Sequence, residues 1–115
     1  MTEKPKRIQR RRVKGWKAPL DANGLPPVSV TRPGVFGNPF KAKDAEAAGY
    51  LDPQKAAVGA FEDWLNGYVF TENYQPERAE LLRRLPELRG RNLMCFCKEG
   101  APCHGDILLA LANED

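Results

Sequence analysis

The residues in this sequence best suited to chemistry are three cysteines and a histidine near the C-terminus. They form the pattern Cys95-x-Cys97-x5-Cys103-His104, and the chain contains no other cysteine or histidine. Thiolate and imidazole groups are preferred ligands of Zn²⁺, so a zinc site is one interpretation. We do not favour zinc, because side chains two residues apart in a regular strand lie about 6–7 Å apart, wider than one tetrahedral ion needs. Neighbouring Cys103 and His104 are also expected to diverge. The cofactor therefore stays unassigned.

The same residues are typical of a reactive thiol beside a histidine at the start of a helix. A helix N-terminus lowers the pKa of a cysteine and attracts anions. Under this hypothesis the catalytic residues are Cys97, Cys103, His104 and Asp106, with Asp106 either orienting His104 or acting as a favourable acid in the first helical turn. A structural role stays open, in which Cys95 packs in the core, Cys103 caps the helix and His104 bonds locally.

A second group of residues has the composition of a phosphate-binding loop. It reads Arg32-Pro33-x-x-Phe36-Gly37-Asn38-Pro39-Phe40. Glycines after a strand let backbone N–H groups approach a phosphate, and an arginine can bind it with a forked pair of donors. We therefore expect Arg32, Gly37 and Asn38 to bind ligand. The loop matches neither G-x-G-x-x-G nor a Walker sequence, and a turn in which Phe36 and Phe40 seal the core is an equal alternative.

Positive charge is concentrated at the N-terminus. Residues 1–17 hold eight basic side chains and one acidic one, whereas the other 98 residues hold ten basic and 14 acidic. Such a cluster is typical of proteins that bind phosphate groups. We expect Arg10, Arg12 and Lys14 to contact phosphate and Trp16 to stack on a base. The alternative is a solvated arm, with Trp16 anchoring it to the core.

The elements that position these residues follow from hydrophobic periodicity and from the prolines and glycines between them. We expect strands at 28–31 and 92–97, and helices at 53–66, 76–85 and 107–112. This order predicts an α/β fold with a small, mostly parallel sheet flanked by helices in a Rossmann-like layered arrangement. We expect one domain over 18–115, preceded by a basic arm over 1–17. Loops 32–40 and 97–104 both follow strands, so parallel strands place them at the same sheet edge.

Composition excludes several classes of protein. No apolar run reaches the roughly 18–20 residues of a membrane helix, and no apolar stretch follows the basic N-terminus as in a signal peptide. Three cysteines cannot form a fully paired disulfide framework. We therefore expect no membrane partner and a cytoplasmic location, where thiols stay reduced.

Taken together, several blocks of sequence resemble DUF4326, a small family of unknown function found in phage and bacterial genomes. The blocks are Arg7-Ile8-Gln9-Arg10-Arg11-Arg12-x-Lys14-Gly15-Trp16-Lys17, Arg32-Pro33 with Gly37-Asn38-Pro39-Phe40, Leu88-Arg89-Gly90-Arg91-Asn92-Leu93, Cys95-x-Cys97 and Cys103-His104-x-Asp106. The resemblance spans nearly the whole chain. It implies that the basic arm belongs to the domain, and it implies no particular reaction.

Three functional hypotheses remain, and we favour the first. In this one the domain binds a phosphate-bearing ligand, nucleotide-like or nucleic acid, at loops 32–40 and 97–104 and the basic arm; whether it also processes the ligand stays open. The second is a non-catalytic module that binds nucleic acid or another partner mainly through the arm. The third is an interaction domain stabilised by zinc at the Cys/His cluster. The sequence assigns neither an oligomeric state nor an enzymatic reaction.

Overall fold

Three short parallel strands form the sheet, and the strand that comes last in sequence lies at its centre. The computed structural model describes residues 4–32, 34–67, 74–98 and 100–114. The strands, in the spatial order β1-β3-β2, are β1 (Arg7–Gln9), β2 (Val28–Ser29) and β3 (Leu93–Cys95). Arg7 and Val28 are both level with Leu93, so all three strands begin at the same edge of the sheet. The predicted α/β class is confirmed, in a single domain with a small parallel sheet.

Within the described parts of the chain, four helices lie between and after the strands. They are α1 (Ala42–Ala47), α2 (Pro53–Leu65), α3 (Gln75–Arg84), which continues into a 3₁₀ helix (Leu85–Leu88), and α4 (His104–Ala112). The start of α2 is specified locally, because Pro53 suits the first turn and the Asp52 side chain accepts a bond from the Lys55 N–H. Among the described residues, no helix is both long and apolar enough to cross a membrane.

The core lies between the sheet and the helices and is built largely from predicted positions. On α2 the buried residues follow the predicted helical spacing: Ala57, Phe61, Trp64 and Leu65. They pack with buried side chains of β3, α3 and α4, namely Leu93, Leu81 and Leu108. The prediction that Leu82 shares the buried face of α3 was wrong, since it is exposed while Leu81 is buried.

Several element boundaries differ from the prediction. Strand β2 was expected to extend to residue 31 but ends at Ser29, although the Val30 N–H still donates to the Met94 carbonyl. Strand β3 was expected to cover 92–97 but ends at Cys95, because the chain bends at Phe96 and Cys97. Helix α4 starts at His104, earlier than expected. Strand β1, within the basic arm, and helix α1 were not predicted. Met1–Glu3, Pro33 and Glu99, which belong to the predicted arm and loops, lie outside the described residues.

Candidate functional site

A cavity of about 180 Å³ opens where β2 and β3 end. Its walls are formed by side chains of both predicted loops and of helix α2, including Thr31, Arg32, Asn38, Phe40, Gln54, Cys97 and His104. The two loops therefore lie at the same sheet edge, as the parallel topology predicts. The sequence analysis missed Gln54, because nothing in the helical pattern of α2 distinguishes a polar residue that faces a cavity from one that faces solvent.

The three cysteines converge beside this cavity. Their sulfur atoms all lie within 4.8 Å of one another, and the Cys95 and Cys103 sulfurs are 3.0 Å apart. The expectation that Cys95 and Cys97 are too far apart to share an ion was wrong, because β3 ends at Cys95 and the bend returns Cys97 to the group. Cys95 and Cys103 are buried, whereas Cys97 is half-buried and lines the cavity.

The thiols share their protons unequally. Hydrogen bonds from Cys103 and Cys97 hold the pKa of Cys95 far below its ordinary value, and a bond from Arg7 adds to this effect. The bond to Cys95, followed by the bond to Cys97 and by burial, raises the pKa of Cys103. The pKa of Cys97 is lowered by its bond with Cys103, but its bond with Cys95 and burial outweigh that and raise it. Within the group, the surroundings therefore favour negative charge on Cys95 over negative charge on Cys97 or Cys103.

Arg7 on β1 fastens the loop that carries the cysteines. Its Nη1 donates to the carbonyl of Cys97 at 3.1 Å, and Nη2 donates to the carbonyls of Lys98 at 3.2 Å and Ala101 at 3.1 Å. Its Nε bonds to the Asp106 carboxylate at 3.1 Å, and the Arg7 side chain is only 9% exposed. The sequence analysis missed this role, because in sequence Arg7 is one of several clustered basic residues.

His104 is held by the core. Its Nε2 lies 2.7 Å from the Val30 carbonyl oxygen, and its ring contacts Phe61 edge-on. Its Nδ1 lies 4.0 Å from the Cys103 sulfur, and burial lowers its pKa, so the ring is neutral near pH 7. The hypothesis that Asp106 orients this histidine was wrong. The Asp106 carboxylate pairs with Arg7 instead, and Asp106 is the acid of the first turn of α4.

Two of the residues expected to bind ligand in loop 32–40 build the loop itself. The Asn38 side chain donates to the Ala57 carbonyl and accepts a bond from the Phe40 N–H. Gly37 packs so closely that a Cβ there would lie 2.9 Å from the Cα of Arg32. Arg32 donates through Nη1 to the Asn38 carbonyl, yet it is exposed and lines the cavity. Arg32 is thus the cation that this loop presents to the cavity.

A basic strip continues from the cavity along the chain after β1. The guanidinium carbons of Arg10 and Arg12 lie 5.3 and 4.2 Å from the centroid of the Phe96 ring. We define the basic strip as the shallow concave surface lined by Gln9, Arg10, Arg11, Arg12, Val13 and Phe96. Phe96 also lines the cavity, so the two surfaces adjoin. Lys14 is exposed and Trp16 lines a separate hollow, so the structure does not bring them to the cavity.

The family of the chain follows from comparison with known proteins. A family model described as domain of unknown function DUF4326 matches residues 8–114, which include the sheet from Ile8 onward, the cysteine group and the cavity. The chain belongs to this family. The DUF4326 match confirms the resemblance inferred from the sequence blocks, and it includes most of the basic arm. No curated protein and no solved structure matches the chain.

Proposed function

We propose that this DUF4326 domain binds a nucleotide-like ligand, an aromatic base joined to phosphate, at the cavity and the adjoining basic strip. The observation that carries the proposal is the shared wall at Phe96: a small cavity at the carboxyl edge of the parallel strands adjoins a surface with three consecutive arginines. Ligands of parallel α/β sheets bind outside the carboxyl ends of the strands.

The size of the cavity limits what enters it. A volume of about 180 Å³ is smaller than the roughly 300–1,000 Å³ of pockets that enclose a whole small molecule. One part of the ligand therefore enters, beside Arg32, Gln54 and Cys97, and the remainder lies outside over Phe96. Cys97 is the thiol that faces this ligand and is the group available for any reaction on it.

The basic strip is suited to the remainder of the ligand. Arg10, Arg11 and Arg12 are exposed, so their charges can approach phosphates without prior desolvation. The Phe96 ring is 37% exposed although two guanidinium groups lie against it. Aromatic rings and guanidinium planes both stack on unpaired bases, which favours a free nucleotide or a single strand over a duplex.

The proposal is tested by binding of a 5′-phosphorylated single-stranded hexanucleotide labelled at its 3′ end. Arg12→Ala is expected to weaken binding by about 1.5 kcal/mol, or roughly tenfold in Kd, and to lower the salt dependence. Fluorescence anisotropy at several salt concentrations measures both effects. Arg83→Ala is the matched control, because Arg83 is exposed on α3, outside the cavity and the strip. Equal losses in the two variants contradict the proposal.

Arg32→Ala separates binding at the cavity from binding by the arm alone. If the cavity takes part, this variant also weakens binding of the oligonucleotide. It likewise weakens binding of an unlabelled nucleoside 5′-monophosphate, which calorimetry measures. If Arg12→Ala weakens oligonucleotide binding while Arg32→Ala leaves the affinity for both ligands unchanged, the domain is a nucleic-acid-binding module that uses only its basic strip. Tight monophosphate binding with little salt dependence identifies a free nucleotide as the ligand.

We also propose that the domain works in a reducing compartment such as the cytoplasm. All three cysteines are free, although the sulfurs of Cys95 and Cys103 lie only 3.0 Å apart. An oxidising compartment favours disulfide formation between thiols so close together.

A further inference from the structure

We infer that Cys95, Cys97 and Cys103 form a binding site for one Zn²⁺ ion, with a fourth coordination position open to the cavity. This inference goes beyond the proposed function and does not depend on it. It rests on the positions of the three sulfurs, on the groups that donate to them, on the charge beside them and on the exposure of Cys97.

The sulfurs lie close to the geometry that zinc requires. With Zn–S bonds of about 2.3 Å, the sulfurs of a tetrahedral site are separated by roughly 3.8 Å. The three sulfurs here all lie within 4.8 Å of one another, with Cys95 and Cys103 at 3.0 Å. Side-chain rotations that bring the sulfur separations toward this value therefore admit the ion.

The two buried sulfurs accept hydrogen bonds as thiolate ligands do. The backbone N–H of Gly105, two residues further along the chain, bonds to the Cys103 sulfur at 3.4 Å. Arg7 Nη1 donates to the Cys95 sulfur at 3.7 Å. Donors of this kind stabilise the charged form of a ligand and fix its orientation.

The charge of the group also favours a divalent cation. Three thiolates so close together repel one another strongly, and a divalent cation between them offsets that repulsion. Three thiolates around one Zn²⁺ ion carry a net formal charge of about −1. The Arg7 guanidinium, which bonds to the Cys95 sulfur, balances this charge.

The ligand set favours zinc over metals that prefer oxygen ligands and over iron–sulfur clusters. Three sulfurs do not suit Mg²⁺ or Ca²⁺, which prefer oxygen, and iron–sulfur clusters are held by four cysteines where this chain has three. His104 lies outside the three-sulfur group: its Nε2 bonds to the Val30 carbonyl and its Nδ1 is 4.0 Å from Cys103. Because Cys97 lines the cavity, the fourth position faces it, as in zinc sites that keep one place for water or substrate.

Metal titration of the reduced full-length chain, freed of metal by a chelator, tests the inference. We expect one equivalent of Co²⁺ to bind with the intense near-ultraviolet absorption of thiolate-to-cobalt charge transfer, and one equivalent of Zn²⁺ to abolish that absorption. Cys97→Ser is expected to weaken Zn²⁺ binding at least tenfold. Ser29→Ala, at an exposed position of β2 outside the cavity, is the control and is expected to bind Zn²⁺ as the unsubstituted chain does.

Absence of the charge-transfer absorption, or equal affinity in the Cys97→Ser variant, overturns the inference. Circular dichroism shows whether Cys97→Ser still folds. A second measurement needs no variant: alkylation of Cys97 by iodoacetamide, followed by mass spectrometry, is expected to slow at least tenfold when one equivalent of Zn²⁺ is present. An unchanged rate overturns the inference even if the variant fails to fold.

Discussion

One arginine, with a side chain only 9% exposed, links the first strand of this domain to its cysteine loop. The donors of Arg7 satisfy the carbonyls of Cys97, Lys98 and Ala101 and the carboxylate of Asp106. These partners lie about 90 positions away in sequence, and the parallel pairing of β1 with β3 brings them within reach. Because the bonds to the Cys97 and Ala101 carbonyls are partly buried, and an acceptor there without a donor is costly, the loop depends on this side chain.

We therefore expect Arg7→Ala to destabilise the fold by about 2–4 kcal/mol, measured by urea unfolding. Arg7→Lys is expected to retain little of this stability, because an ammonium group cannot reproduce the forked set of bonds that the guanidinium makes. Arg11→Ala is the control: Arg11 is exposed in the same basic segment, and its removal is expected to cost no more than about 0.5 kcal/mol. A loss below about 1 kcal/mol for Arg7→Ala contradicts this role.

The single histidine makes stability depend on pH in a direction that its burial determines. Burial lowers the folded-state pKa of His104, so between that value and the unfolded value near 6.5 only the unfolded chain takes up the proton. The neutral histidine therefore contributes to the free energy of unfolding above about pH 6.5. This contribution is lost as pH falls, by up to about 1.4 kcal/mol per pH unit.

Urea unfolding at pH 7.5, 6.5 and 5.5, with a chelator present, measures this slope. We expect the slope to be smaller in His104→Gln, because the chain has no other histidine and the carboxylates contribute equally to both proteins. Identical pH profiles for the two proteins would show that the histidine is not held neutral.

At the scale of elements, loop 32–40 is shaped by the close approach of its backbone at Gly37 to its backbone at Arg32. A Cβ on Gly37 would lie 2.9 Å from the Cα of Arg32 and 3.0 Å from its backbone nitrogen. Neither atom can move without displacing the chain after β2. The loop therefore keeps its course only with glycine at this position.

Gly37→Ala is expected to destabilise the domain by about 1–3 kcal/mol. The matched substitution is Gly59→Ala on α2, where a Cβ meets nothing within 4 Å and alanine is expected to stabilise the helix by about 0.5–1 kcal/mol. Thermal unfolding of both variants measures the two opposite shifts. If Gly37→Ala leaves the melting temperature unchanged, the close approach does not shape the loop.

The elements that sequence patterns predicted are those whose own residues carry a signal. Helix α2 has a proline start, a cap and four buried positions at helical spacing. Helix α1 buries no residue, so no hydrophobic periodicity identifies it. Strand β1 is formed by a basic segment whose side chains are only half-buried, and it exists because it pairs with β3. Such long-range pairing leaves little trace in local sequence.

Across the whole molecule, topology assembles the site from distant parts of the chain. The meeting of the two loops was predictable, because parallel strands end at the same edge of a sheet. The convergence of the three sulfurs was not, since it depends on the bend after Cys95 and on the bonds that Arg7 makes to the loop. Likewise, the two guanidinium groups that lie against Phe96 come from Arg10 and Arg12, far away in sequence. The ligand site of the proposed function therefore needs both ends of the chain.

The most direct test of that site is to map nucleotide binding on the ¹⁵N-labelled chain by amide chemical shifts, with each nucleoside 5′-monophosphate added in turn. We expect the largest shifts at Arg32, Gln54, Phe96 and Cys97, and smaller ones along the basic strip. Shifts confined to another surface, such as the groove lined by Tyr50 and Asp63 between α1 and α2, or no shifts at millimolar nucleotide, would contradict the proposed function.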